Sequence, residues 1–99
     1  MTPAAAFQRL NKLLWADRLP KISVSLVDNA TLPTCYGLTL TDDIIKKPII
    51  LLNSNHRWGK TLVHEMLHVA EPNLNHGKIF YALVDSYWRF AKQHIKGLQ

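Results

Sequence analysis

The chain has 99 residues, twelve Lys+Arg against seven Asp+Glu, 47% apolar letters and one cysteine, which sets the scale of one domain and excludes multidomain machinery. Ordinary apolar content with 19% charged residues argues against disorder. Cys35 alone permits neither an intramolecular disulfide nor a four-cysteine zinc ribbon, and no run reaches the roughly 18 apolar residues that a membrane span needs. The start, MTPAAAFQRLNKLL, breaks off into Asp17 and Arg18 without a secretory pattern. A soluble intracellular protein, cytoplasmic or nucleoid-associated and without a membrane partner, is therefore expected. The formal charge is +5, and the last 24 residues concentrate it with four Lys+Arg against one Asp. Such a segment suits an anionic partner, although solvated faces are often basic for no such reason.

Thr2-Pro3 reads as an N-cap followed by proline at the first helical position, where its missing N–H costs nothing. A helix to about Trp15 follows, with Phe7, Leu10, Leu13 and Leu14 on its apolar face, and Pro20 separates it from what comes next. From Lys21 the period changes to two: Ile22, Val24 and Leu26 alternate with Ser23 and Ser25, the pattern of a strand with one buried face. Asn29 and Pro33 turn the chain. Tyr36, Leu38 and Leu40 alternate around Thr39 in a second strand, which Thr41-Asp42-Asp43 closes in a polar turn. After Lys46-Lys47-Pro48, the run Ile49-Ile50-Leu51-Leu52 reads as a short buried strand ending at Asn53-Ser54-Asn55. From about Arg57 or Thr61 to Ala70 the pattern is helical, and Pro72 closes it. A last helix runs from about Lys78 to Ile95, its core stripe formed by Phe80, Leu83, Val84, Tyr87, Ala91 and Ile95, with Gly97 as the stop. No repeat, low-complexity tract or linker interrupts this order of helix, strands, helix, helix.

The second of these helical patterns carries the chemistry. His64-Glu65-Met66-Leu67-His68 is the HExxH arrangement of zinc metallopeptidases. Two imidazoles four residues apart on a helix are separated by about 6 Å of rise and converge on one zinc ion. Glu65, on the neighbouring flank, has the seat of a general base that takes a proton from an activated water. The five letters alone arise by chance in roughly one chain in several hundred of this length, so context has to support them. Leu62, Val63, Met66, Leu67 and Ala70 provide buried flanks. A catalytic zinc site also needs a third protein ligand and an open position. His76, eight residues beyond His68 and after a loop that can reverse the chain, is the obvious candidate; Glu71 competes with it, and Gly77 suits a tight approach to the last helix. His56 and His94 lack such company and read as surface residues. Cys35 reads as a small buried hydrophobe, with an alternative zinc-ligand role as the rival. Trp15, Trp58 and Trp88 read as packing residues.

With these residues in view the chain resembles the SprT-like metallopeptidases, which include the Spartan-type DNA-dependent proteases. The likeness rests on the context TL-x-HEMLH, on His76-Gly77-Lys78-Ile79-Phe80 after a loop, and upstream on Leu19-Pro20, Tyr36-Gly37 and Ile50-Leu51-Leu52-Asn53. It spans most of residues 4–84. The resemblance implies a zincin-like α+β fold, built of an N-terminal helix, a small three-stranded sheet, the HExxH helix and a C-terminal helix. It also implies Zn2+ held by His64, His68 and His76, with Glu65 as catalytic acid/base. For Spartan-type members it further implies DNA repair by hydrolysis of proteins crosslinked or tightly bound to DNA. Longer members add a cysteine-rich ribbon or binding segments that these 99 residues lack.

The expected protein is thus a minimal zinc endopeptidase acting on a protein or peptide substrate. Lys78, Arg89, Lys92 and Lys96 are its candidate DNA contacts, with positions 89, 92 and 96 sharing one face of the last helix. Tyr36, Tyr81 or a backbone N–H are candidates for oxyanion stabilisation, and an edge strand near the zinc helix is the expected seat of substrate. The oligomeric state is not legible. The rival readings are a nucleic-acid-binding module that keeps zinc for stability and a non-catalytic interaction module on the same scaffold.

Overall fold

Thr2 starts the first helix as its type predicts: in the computed structural model of the chain, its Oγ1 accepts the N–H of Ala5 at 3.1 Å and Pro3 occupies the first turn. The structure describes residues 1–32, 35–40 and 48–98. Helix α1 (Pro3–Trp15) buries Ala6, Phe7, Leu10 and Trp15 and ends as Ala16 and Asp17 enter the left-handed region. The connector that follows is held by Asn11, whose side chain is buried. Its amide nitrogen donates to Leu19 O and its oxygen accepts from Leu19 N–H, both at 3.1 Å. A buried amide satisfied on both sides costs little and fixes where the chain leaves the helix.

Three strands follow: β1 (Ser23–Val27), β2 (Gly37–Leu40) and β3 (Ile49–Asn53). Their order in the sheet is β1-β3-β2, with β1 parallel and β2 antiparallel to β3. The last strand in sequence is therefore central, which is why its apolar run is the most buried, and β2 lies at an edge. Asn53 ties the end of β3 to the preceding loop. Its buried amide nitrogen lies within hydrogen-bond distance of Asn29 Oδ1 (2.7 Å), Leu32 O (3.0 Å) and Cys35 O (3.2 Å).

Helix α2 (Gly59–Ala70) packs with α1 on the sheet, and helix α3 (Lys78–His94) packs against those two helices. The fully buried side chains Leu10, Ile50, Leu52, Leu62, Val63, Met66, Leu67 and Phe80 come from every layer of this α+β arrangement. Each such burial contributes about 1.5–3 kcal/mol relative to exposure. At the surface, Lys60 of α2 and Asp85 of α3 form an ion pair. The lysine's hydrogen bond and charge, with Arg89 beyond, hold the Asp85 carboxyl below its ordinary range. Helix α3 ends at His94 with Ile95 already extended, ahead of the stop expected at Gly97, which takes φ 86° two residues later. No helix among the described residues is long and apolar enough to cross a membrane.

Three expectations need correction. In β2 the apolar residues face out: Leu38 and Leu40 are exposed while Gly37 and Thr39 turn toward the helices. The alternation there holds, its covered face set by α2, which approaches Gly37 too closely for a large side chain; in β1, Leu26, expected on the buried face with Ile22 and Val24, is exposed. Cys35 is exposed rather than buried, at the rim of a groove. Gly77 has an ordinary extended backbone, and a Cβ there would meet open space, so the approach to α3 does not require glycine. Pro33, the Thr41-Asp42-Asp43 turn and Lys46-Lys47 lie outside the described residues.

Candidate metal centre

Leu62, Val63, Met66 and Leu67 anchor α2 to the core, and this orientation turns the remaining flank, with His64, Glu65 and His68, toward an open cleft. Glu71 N–H still donates to Leu67 O at 2.8 Å, and then Pro72 stops the ladder. Leu74 N–H donates to Glu71 O at 3.1 Å, turning the chain back. His76 arrives two residues before α3, its Nε2 2.7 Å from Nε2 of His68.

Among the described residues, His64, His68 and His76 form a group whose potential ligand atoms all lie within 4.8 Å of one another; Glu71 and Cys35 are not part of it. Phe80, fully buried, is the floor beneath all three rings. Its centroid lies 4.6 Å from that of His68, 4.8 Å from His64 and 5.0 Å from His76. The sequence marked Phe80 only as a core residue; its place under the imidazoles is what the spacing His76-Gly77-Lys78-Ile79-Phe80 produces once α3 begins at Lys78.

Burial, then the neighbouring His68 and His76, push the His64 pKa down to about 4. His68 is lowered as well, by burial first and His76 later, with Glu65 opposing. His64 is therefore neutral at pH 7, so its 3.8 Å approach to Glu65 Oε2 is a contact and not an ion pair. Two imidazoles held neutral beside a third, converging on a common point, fit a divalent zinc ion. Glu65 is buried and presents one oxygen, Oε2, toward His64, while Oε1 accepts a hydrogen bond from Thr39 Oγ1 at 2.7 Å. Thr39 escaped the sequence reading, where it was only the polar residue between Leu38 and Leu40.

This is a zincin-like architecture, an α+β fold whose HExxH helix and distal histidine converge. The chain matches no family model, no curated protein and no solved structure.

Two clefts meet at the cluster. One, of about 1400 Å³, runs past Tyr36, Arg57, Lys60, Tyr81, Trp88 and Lys92. The other, of about 510 Å³, runs past Leu38, Thr39, Pro48, Val69 and Pro72. Gly37, His64, Glu65 and His76 line both. Of the two candidate tyrosines, Tyr81 lies beside the cluster, its ring stacked on His76 at 5.9 Å and 6.1 Å from His64, whereas Tyr36 packs on His56 at 4.5 Å. Lys78, Arg89, Lys92 and Lys96 are all exposed on or just after α3, and of these only Lys92 lines either of the two clefts, its ammonium 5.7 Å from the Trp88 ring. Trp15 and Trp58 are buried, as packing residues should be; Trp88 is half-buried. His56 and His94 are exposed.

Proposed function

We propose that the protein is a zinc-dependent endopeptidase of the SprT-like kind, its 99 residues forming one minimal catalytic core. The observation that carries this reading is the meeting of His76 with His64 and His68 beside a buried Glu65. A cleft open on both sides of the cluster suits cleavage within a chain rather than at its end.

In this reading His64, His68 and His76 hold the ion. Zinc, when bound, polarises a peptide carbonyl and makes water acidic enough to yield a nucleophile near neutral pH. The substrate lies extended along the open edge of β2. Asn53 N–H donates to Tyr36 O at 2.9 Å, so the main-chain groups of residues 36, 38 and 40 face β3, and those of Gly37 and Thr39 face the edge that no described strand covers. Glu65 takes one proton at Oε2 from the water whose oxygen bonds to the carbonyl carbon. As the C–N bond breaks, the same proton passes from Glu65 to the amine nitrogen. Tyr81 is assigned as the phenol that donates to the oxygen developing negative charge.

For substrates, the resemblance to Spartan-type proteases points to proteins bound or crosslinked to DNA. Exposed Lys78, Arg89, Lys92 and Lys96 supply positive charge for phosphate contacts, and Lys92 brings it to the rim of the cleft. The test compares wild type with Glu65→Gln at equal zinc occupancy on unfolded proteins and on protein–DNA crosslinks. Expected is cleavage by wild type and a loss of about 10²–10⁴-fold in the variant. No wild-type cleavage at full zinc occupancy overturns the enzyme in favour of a binding module. Binding to DNA that ignores salt, or that survives Arg89→Ala/Lys92→Ala, overturns the DNA contact alone.

A further inference from the structure

We propose that Thr39 is the positioning residue for Glu65, so that the strand receiving the substrate also aims the base; this inference rests on the peptidase reading above.

The geometry starts with the carboxylate. The last torsion of a glutamate side chain is broad and roughly two-fold, so burial alone does not choose which oxygen looks at the cluster. Thr39 Oγ1, at 2.7 Å from Oε1, makes that choice, and it is the hydrogen-bond donor to this carboxylate among the described residues. Oε2 is left facing His64 at 3.8 Å, on the side of the two clefts. One oxygen is anchored and the other is available to move a proton. A base held this way is already aligned when water arrives, which is the part of the barrier that preorganisation removes.

The second half of the inference comes from the position of Thr39 in β2. Its register partner in β3 is Ile50, and the alternation set by Tyr36 and Asn53 turns its N–H and C=O away from β3, to the edge that no described strand covers. An extended peptide pairing there touches the main chain of the residue whose hydroxyl holds Glu65. The burial pattern agrees: Leu38 and Leu40 lie on the outer face, and Thr39 is the inward residue between them. A threonine suits both tasks, since its β-branch favours the strand and its hydroxyl supplies the donor.

The test uses the zinc-loaded full chain and a fluorogenic peptide. Thr39→Val keeps the shape, the strand and the main-chain edge but removes the donor; Thr39→Ser restores it. Expected is a fall in kcat of about 10- to 100-fold for Thr39→Val with KM within about twofold, and recovery to within about threefold of wild type in Thr39→Ser. Zinc content should equal that of wild type. In the metal-free protein, the carboxyl ¹³C resonance of Glu65 should move in Thr39→Val and stay in place in Thr39→Ser. If Thr39→Val does not fold, Thr39→Ala takes its place in the same comparison. Wild-type cleavage with an unchanged kcat in the valine variant, or a serine variant as impaired as valine, overturns the role of Thr39 alone. No cleavage by zinc-loaded wild type overturns the peptidase reading and this role with it.

Discussion

Nε2 of His76 lies 2.7 Å from Nε2 of His68, although eight residues and a proline-broken helix end separate them. Two imidazole nitrogens this close are hydrogen-bonded, and a tetrahedral zinc about 2.1 Å from each would need them to part only to about 3.4 Å. His76 is exposed and contributes little to the core, so removing it should affect the metal and spare the fold. His76→Ala is expected to weaken zinc binding by about 10²-fold or more while the metal-free protein melts within a degree or two of wild type. At zinc concentrations that stabilise wild type by about 2.7 kcal/mol, the level reached at 100 times Kd, most of that increment should vanish in the variant. Calorimetric titration and melting with and without chelator measure both. Unchanged zinc affinity would remove His76 from the site.

Acid should destabilise the metal-free protein through the same histidines. The His64 pKa falls from 6.5 in the unfolded chain to about 4 in the fold, so between those values the unfolded state binds the proton that the folded state refuses. This contribution to stability is fully present above pH 6.5 and is lost as the pH drops toward 4; His68 shifts in the same direction. Allowing for the partial exposure of both rings, the loss should be about 1–3 kcal/mol. Asp85, whose carboxyl is held below its ordinary range, acts in a separate and lower window. Urea unfolding of chelated protein at pH 7.5, 6 and 4.5 tests this, and a flat response, or one that persists in full in His64→Asn, counts against it.

Tyr81 offers its phenol beside His76 and His64. If it stabilises the developing oxyanion, Tyr81→Phe should lower kcat by about 10²-fold, the order seen for loss of a single such donor. KM and zinc content should stay close to wild type. A matching loss in Tyr36→Phe with Tyr81→Phe unaffected would move the role to the other tyrosine.

The fold was legible where local chemistry decides it. Thr2-Pro3 and Pro72 mark helix ends by local backbone rules, and α1 starts at Pro3 and α2 stops at Ala70 as those rules require. The i, i+4 pair His64 and His68 was legible for the same reason. What the pattern could not reveal depends on which surfaces meet. The central place of β3 follows from pairing with β1 and β2 at long range. The outward turn of Leu38 and Leu40, and with it the inward turn of Thr39, depends on how closely α2 packs on β2. A period of two identifies two faces of a strand but does not say which is covered. Spacing and the loop after Pro72 nominated His76 as third ligand, with Glu71 as its rival, and the resemblance to SprT-like enzymes favoured the histidine; Thr39 needed the structure.

Phe80 couples core and site, since it is fully buried yet in ring contact with all three histidines. Phe80→Ala should cost about 3–5 kcal/mol of stability and also loosen the imidazoles above it. Phe80→Leu, which keeps most of the volume, should recover most of the stability but not the ring contacts. Zinc affinity that follows stability through both variants would mean that Phe80 acts by packing alone; affinity still reduced in the leucine variant would mean that the ring orients the ligands.

Gly37 sets the distance between the edge strand β2 and helix α2. Its backbone is unstrained, and the constraint is space: a Cβ there would lie 2.6 Å from Thr61 Cγ2, 3.3 Å from Leu51 O and 3.4 Å from Leu52 Cδ2. Thr61 sits one turn before His64 and Glu65 on α2, so relieving the clash means moving β2 away from the residues it serves. Gly37→Ala is expected to cost about 1–3 kcal/mol, the usual range for overpacking, and to lower peptide cleavage further by stretching the Thr39–Glu65 hydrogen bond. Thr61→Ser removes the methyl that the new Cβ would strike, so the double variant Gly37→Ala/Thr61→Ser should regain most of both losses. Chemical denaturation and cleavage assays on the four proteins of this cycle separate the effects. Stability restored without cleavage would mean that the glycine also serves substrate pairing at the free edge, whereas no restoration of either would place the obstruction at Leu51 O and Leu52 within the sheet.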